Sequence, residues 1–214
     1  METEILTIFN EQQTPIGTAT REEVHRLGHW HETFHCWFVA KENGQDMLYL
    51  QLRSPIKKDY PNLLDITAAG HLLTTESVED GVREIQEETG IVVAFEDLHL
   101  LGIIPYSMKK PDMIDNELAH VFVYHTEHKL NDFQVQPEEV AGIYKIAFQD
   151  FAKLLNSEIE DIPCLGFTLT EYGEKLIHEK MISKSDLVPH PDSYYEAVIH
   201  GINEELLKGR GICH

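Results

Sequence analysis

Residues 70–91 read GHLLTTESVEDGVREIQEETGI. Wound at about 100° per residue from Val78, the segment places Val82 and Ile85 on one narrow apolar stripe and Asp80, Glu84, Glu87 and Glu88 on the neighbouring face. The spacing predicts a helix over 77–89, with Gly90 as its stop. Like charges three and four residues apart cost a helix roughly a few tenths of a kcal/mol per pair. A hard divalent cation, Mg²⁺ or Mn²⁺, would offset that cost, because such ions take oxygen ligands from a few carboxylates and from substrate phosphates. On spacing alone a solvated acidic face is the alternative. Gly81 lies on the carboxylate side and leaves room for close approach to the helix. A glycine-containing loop ahead of the helix, Arg83 beside the carboxylates and Gly90 behind them tip the reading toward the cation.

The rest of the chain fits a folded domain around this helix. Its 214 residues carry 17 Lys+Arg against 37 Asp+Glu, a formal charge of −20, and 42% are hydrophobic, enough for a full core. So acidic a surface repels phosphate backbones, which argues against nucleic acid as a partner, and attracts cations. The opening METEILTIFN has no basic region followed by an apolar run, and no stretch approaches the roughly 20 apolar residues of a membrane span, so no membrane association and a cytoplasmic location are expected. Cys36, Cys164 and Cys213 are odd in number and widely spaced, which points to reduced thiols.

Residues 1–30 read as a strand and helix preamble: EILTIFN is a strand, and TREEVHRLG a short helix with Thr20 and Glu23 spaced as a capping box and Gly28 as its stop. Residues 31–157 read as the core. Two aromatic-rich runs flank Glu42-Asn43-Gly44 as a β-hairpin, LLDITAAG, HLLGIIPYSM, ELAHVFVYHTE and AGIYKIA supply strands, and FQDFAKLLN supplies a helix. Their order predicts an α+β sandwich with a mixed sheet. Residues 158–214 read as a helical extension, because TLTEYGEKLIHEKM and PDSYYEAVIHGINEELLKG both space apolar residues helically. The apolar face with Tyr194, Tyr195, Val198, Ile199 and Ile202 should pack on the core or form a homodimer contact.

Arg83-Glu84-Ile85-Gln86-Glu87-Glu88-Thr89-Gly90-Ile91 resembles the second half of the Nudix box, and Gly70 and Glu76, with five residues between them, resemble the first. The resemblance implies a Nudix-like α/β/α sandwich whose loop and helix bind divalent metal and whose chemistry is cleavage of a diphosphate linked to another moiety. By position it makes Glu84, Glu87 and Glu88 catalytic metal ligands and Arg83 their orienting partner. At one place the match departs: six residues separate Glu76 from Arg83, one fewer than in the usual box, which leaves the role of Glu76 open.

From about Glu4 to Asn156 the chain also resembles type 1 isopentenyl-diphosphate isomerase and the Nudix hydrolases similar to it, through RSPIKKDYP, AAGH and NELAHVF. That branch implies a second metal site of histidines and carboxylates, to which His25, His31, His71, Asp115 and Glu117 correspond. Imidazole ligands suit a transition metal. Arg53 and Lys57 correspond to cations that grip the diphosphate; ordinary solvated charge is their alternative. Trp30, Trp37, Tyr60 and Tyr106 could stack on a substrate ring, although aromatics beside strands are more often core.

Ala69 stands where the isomerase resemblance requires a cysteine, and Glu84 stands where it requires arginine. Proton transfer to an alkene needs an acid and a base there, and an alanine methyl is neither. A metal-dependent pyrophosphohydrolase therefore leads, with water attacking phosphorus in a nucleoside diphosphate derivative or another small-molecule diphosphate. The isomerase, and a catalytically silent sensor of a diphosphate metabolite, are the alternatives.

Overall fold

The computed structural model describes residues 4–111 and 113–210; Cys213 lies outside them. The chain opens with a hairpin, β1 (Ile5–Phe9) and β2 (Pro15–Thr20), followed by α1 (Arg21–Leu27). The capping box forms: Thr20 Oγ1 accepts from the Glu23 N–H at 3.3 Å, and the Glu23 carboxylate accepts from the Thr20 N–H at 3.3 Å. Gly28 ends the helix at φ 69°, the left-handed region open to glycine. The long strands β3 (Trp30–Glu42) and β4 (Gln45–Arg53) turn through Asn43 and Gly44 at φ 49° and 84°, the positive-φ pair of a tight hairpin.

LLDITAAG supplies two short strands, β5 (Leu64–Asp65) and β6 (Ala68–His71). Then come α2 (Val82–Thr89), β7 (Leu98–Lys110), β8 (Met113–His125), β9 (Val140–Ala147), α3 (Phe148–Leu155), β10 (Asp161–Leu169), β11 (Lys175–Ser183) and α4 (Asp192–Arg210). β3 is the hub of a mixed sheet, antiparallel to β1, β4 and β6 and parallel to β8. One face packs Phe34, Cys36 and Phe38 against Ile85 of α2. The other packs Trp37, Val39 and Leu48 against Phe151 of α3 and Tyr194, Val198 and Ile202 of α4. Helices thus cover both faces, the α/β/α arrangement expected for an α+β chain.

Two expectations need correction. The acidic helix does not run from Ser77: Glu79–Gly81 is a 3₁₀ turn, and α2 proper begins at Val82. Asp80 therefore leaves the carboxylate row and accepts from the Ser77 N–H and hydroxyl at 2.8 Å each, closing the turn ahead of the helix. The tight turn also brings Gly81 to β3, where a Cβ would lie 2.5 Å from the Phe34 ring.

The segment TLTEYGEKLIHEKM is not a helix. It belongs to the β10–β11 hairpin, with Gly173 at φ 77° in the turn, and β10 pairs with β9 as part of the main sheet. Its Glu and Lys residues favour helix in isolation, but pairing with the free edge of β9 satisfies a row of backbone groups that an isolated short helix could not. The second predicted helix stands as α4, and its apolar face, offered above for a dimer, is covered within the chain: Tyr194, Val198 and Ile202 are fully buried. Among the described residues no helix is long and apolar enough to cross a membrane.

Candidate active site

Side chains alternate across a strand. On β3 the alternation that sends Phe34 and Phe38 toward α2 sends His31, Thr33 and His35 to the opposite face, in line with Trp37 and Val39. Parallel pairing sets His31 of β3 beside Glu117 of β8, and the same two-residue period gives β8 a stripe of Asp115 and Glu117 continued by Ala119 and Val121. β6 lies across the other side of β3, with Ala69 opposite His35 and His71 opposite Thr33. Its Ala68 packs on the α2 side, so Gly70 faces α2 while Ala69 and His71 face the histidines. One four-residue strand thus has carboxylates on one face and imidazoles on the other.

On the α2 side Glu88 is buried, and its Oε2 accepts from the Ala69 N–H and from Gln51 Nε2, both at 2.9 Å. Burial, with the Glu84 charge beside it, pushes its carboxyl up to about 8. Burial also raises Glu84 to about 7, against the pull of Arg83 and with the help of Glu87. Glu87 is exposed. Arg83 ties the row together: Nη1 lies 2.7 Å from Glu84 Oε1 and 3.3 Å from Glu87 Oε2, Nη2 donates to the His71 carbonyl at 3.1 Å, and Nε pairs with Glu76. Glu76 also accepts from the Leu73 N–H at 2.8 Å, so the shortened loop still delivers this residue to Arg83. Two carboxyls held at raised pKa by burial and by neighbouring carboxylates fit a site for a hard divalent cation, which would return both to the charged form.

On the opposite face His25, His31 and His71 pack with ring centroids 5.1–5.3 Å apart. Each ring commits its Nδ1–H elsewhere: His25 to the Arg21 carbonyl at 2.8 Å, His31 to the His29 carbonyl at 3.1 Å, His71 to Glu4 Oε2 at 3.2 Å. The His71 hydrogen bond holds the Glu4 carboxyl down at about 2. Every Nε2 lone pair is left for another partner, the pattern by which an outer partner fixes the tautomer of a metal-binding histidine. Burial, and the His71 ring beside it, lower His31 to about 4, so its ring is neutral at physiological pH. Asp115 Oδ1 stands 3.4 Å from His25 Nε2 and 3.6 Å from His31 Nε2. Even so, His31 Nε2 and Asp115 Oδ1 are buried without a hydrogen-bond partner. Buried polar atoms without partners are rare and costly, and these two, with Glu117, fit a transition-metal ligand set.

Between the two faces run two connected clefts. A cavity of about 130 Å³ is lined by the histidine side, with Arg53, Tyr106 and Met108; a cleft of about 540 Å³ is lined by Glu84, Glu87, Glu88 and Glu139. Lys57, Ala69, Gly70 and His71 border both. Lys57 pairs with Glu139, and Arg53 is held by Asp65 at 2.9 Å and by the Asp59 carbonyl. Of the two cations predicted to grip the diphosphate, Lys57 therefore borders both clefts and Arg53 only the smaller cavity. Of the aromatics, Trp37 is core, Tyr60 lies under Lys110 Nζ at 3.5 Å from its ring centre, and Tyr106 donates to Glu117 at 2.7 Å.

The sequence reading missed Thr33, His35 and His190 as site residues; it offered Tyr106 only as a stacking or core aromatic and Tyr194 only as part of a packing face. His31-x-Thr33-x-His35 is a polar stripe with the period of a strand, and that signal could have added His35 to the site. His190 reaches the cavity, and Tyr194 reaches His35, only because the C-terminal segment with α4 folds back over the sheet, which no local pattern announces.

A NUDIX domain profile matches residues 29–164. The chain is 37% identical over 205 residues to an uncharacterised Nudix hydrolase of Clostridium acetobutylicum, covering 96% of this chain and 100% of that one. It is 26% identical over 160 residues to isopentenyl-diphosphate Delta-isomerase 1 of Photorhabdus laumondii, covering 73% of this chain and 87% of the relative. A crystal structure from Deinococcus radiodurans shares the fold at a TM-score of 0.53 and 19% identity, over 72% of this chain and 90% of that one. With the box on α2 and the histidine face on β3, β6 and β8, the chain belongs to the Nudix hydrolase family, in the branch that resembles the isopentenyl-diphosphate isomerases.

Proposed function

We propose that the chain hydrolyses the diphosphate linkage of a small organic diphosphate, with divalent metal held by Glu84, Glu87 and Glu88. The observation that carries this reading is a buried carboxylate, Glu88, and a partly buried one, Glu84, kept beside an exposed third, Glu87. A module that only bound a metabolite would gain nothing from burying two acids against each other. Nε2 of His25, His31 and His71, with Asp115 and Glu117, would hold a second, transition-metal ion. Ions held at these positions supply neutralisation of phosphate oxygens and a more acidic water.

The chain's own groups do the rest. Arg53, fixed by Asp65, and Lys57, shared by both clefts, orient the anionic diphosphate between the two faces of β6. Gly70 lets the substrate and Glu84 approach the strand closely, and one of the α2 carboxylates takes the proton of the attacking water.

The relatives named as isomerases favour one second reading, isomerisation of isopentenyl diphosphate. Against it, Ala69 presents a methyl to the cavity where an acid or base is required. Incubation with a panel of diphosphates and Mg²⁺ separates the readings. Phosphate-bearing fragments establish hydrolysis, a shifted double bond establishes isomerisation, and tight binding without turnover establishes a sensor. Near-normal turnover by Glu87→Gln and Glu88→Gln on a confirmed substrate would refute the carboxylate assignment.

A further inference from the structure

Glu117 is gripped unevenly. Thr33 Oγ1 donates to its Oε2 at 2.8 Å, Tyr106 Oη donates to the same oxygen at 2.7 Å, and His35 Nε2 lies 3.1 Å from it. Among the described residues every one of these donors reaches Oε2, and none reaches Oε1. On its far side His35 Nδ1 lies 2.8 Å from Tyr194 Oη, and Trp37 Nε1 lies 3.4 Å from that hydroxyl. All six side chains are buried, and they link α4 through β3 to β8.

The chemistry of the donors fixes where the protons sit. An indole N–H only donates, so the Tyr194 oxygen accepts from Trp37 and the hydroxyl must place its own hydrogen elsewhere. The acceptor at 2.8 Å is His35 Nδ1. The imidazole proton is then on Nε2, aimed at Glu117. The opposite tautomer would bring two N–H groups onto the Tyr194 oxygen, leave its hydrogen without an acceptor, and set the bare Nε2 lone pair against a carboxylate.

We propose that Tyr194 is a positioning residue of the site: it locks His35 as the Nε2–H tautomer, which with Thr33 and Tyr106 pins Glu117 by Oε2 and keeps Oε1 free for a cation shared with His31 and Asp115. The inference rests on the reading of His31, Asp115 and Glu117 as metal ligands. It makes α4, which lies outside the matched residues 29–164, a working part of the site. The helix suits the role because Tyr195, Val198 and Ile202 anchor it in the core, so the hydroxyl arrives on a rigid element.

Two measurements on the full chain test this. Imidazole ¹⁵N NMR of the metal-free protein should show His35 as the Nε2–H tautomer; an Nδ1–H tautomer overturns the relay without any variant being made. Co²⁺ affinity, followed by the visible absorption of nitrogen-ligated cobalt, should fall about tenfold in Tyr194→Phe, as is usual when an outer partner of a metal ligand is lost. Tyr195→Phe is the control: it removes another buried hydroxyl from the same helix, one that donates to the Val188 carbonyl at 2.7 Å, and should leave the affinity unchanged. Affinity within about twofold of the parent in Tyr194→Phe overturns the proposal. Unchanged affinity in Glu117→Gln overturns the metal reading beneath it, whereas a loss in Glu117→Gln without one in Tyr194→Phe overturns the relay alone.

Discussion

A Cβ built on Gly70 falls 2.1 Å from both the carboxyl carbon and Oε1 of Glu84, and 2.5 Å from its Oε2. The strand that divides the site is therefore in contact with the first carboxylate of α2, and only a glycine fits between them. Because the obstacle is the far end of a flexible side chain, Gly70→Ala should swing Glu84 aside and leave the fold standing. Thermal unfolding should show a loss within about 1 kcal/mol. Turnover should fall on the order of 100-fold, since displacing a catalytic group by about an ångström costs that much. Retained activity would show that Glu84 does not need its place against β6.

Arg83 reaches Glu76, Glu84, Glu87 and the His71 carbonyl with one planar group. A lysine ammonium cannot reproduce that fork. Arg83→Lys should therefore behave like Arg83→Ala, each weakening Mn²⁺ binding by roughly 10- to 100-fold as calorimetry reads it. Rescue by lysine would mean that only the positive charge matters.

The raised carboxyls of Glu84 and Glu88 make the metal-free protein sensitive to alkali. Each binds its proton more tightly folded, at about 7 and about 8, than unfolded, at the ordinary carboxylate value near 4.5. Their contribution to stability is complete below about pH 4.5 and is lost as pH rises through those values. The metal-free protein should thus lose stability between about pH 5 and 8.5, and Glu88→Gln should flatten that slope. At pH 8.5 added Mn²⁺ should restore the loss. A parent and a Glu88→Gln variant with parallel profiles in chemical denaturation would sink the argument.

Much of this was legible in the chain. The spacing of Arg83, Glu84, Glu87 and Glu88 located one face of the site, because a helix converts spacing directly into a shared surface. Strand runs around Asn43-Gly44 located the hub, β3, for the same reason with period two. His25, His31, His71, Asp115 and Glu117 were reached by resemblance, and their convergence depends on α1, β3, β6 and β8 meeting, which no local rule specifies. Asp80 was misplaced because a 3₁₀ turn shifts the wheel. The β10–β11 hairpin was misread because its helical spacing is local while its partner strand, β9, lies beyond the window that spacing can see.

The histidine face gives the last prediction. His31 Nε2 and Asp115 Oδ1 are buried without hydrogen-bond partners, and an orphaned buried polar atom costs about 1–3 kcal/mol. Replacing His31 by an apolar side chain of similar shape removes one orphan, so His31→Phe should leave the metal-free protein as stable as the parent, or more so. The same change deletes a ligand. The parent should gain about 2.7 kcal/mol when Zn²⁺ is present at a hundred times its dissociation constant, and His31→Phe should lose most of that gain. Differential scanning calorimetry with and without the metal reads both effects at once. A variant that is strongly destabilised without metal, yet responds to Zn²⁺ like the parent, would mean that His31 serves packing and that the cation sits elsewhere.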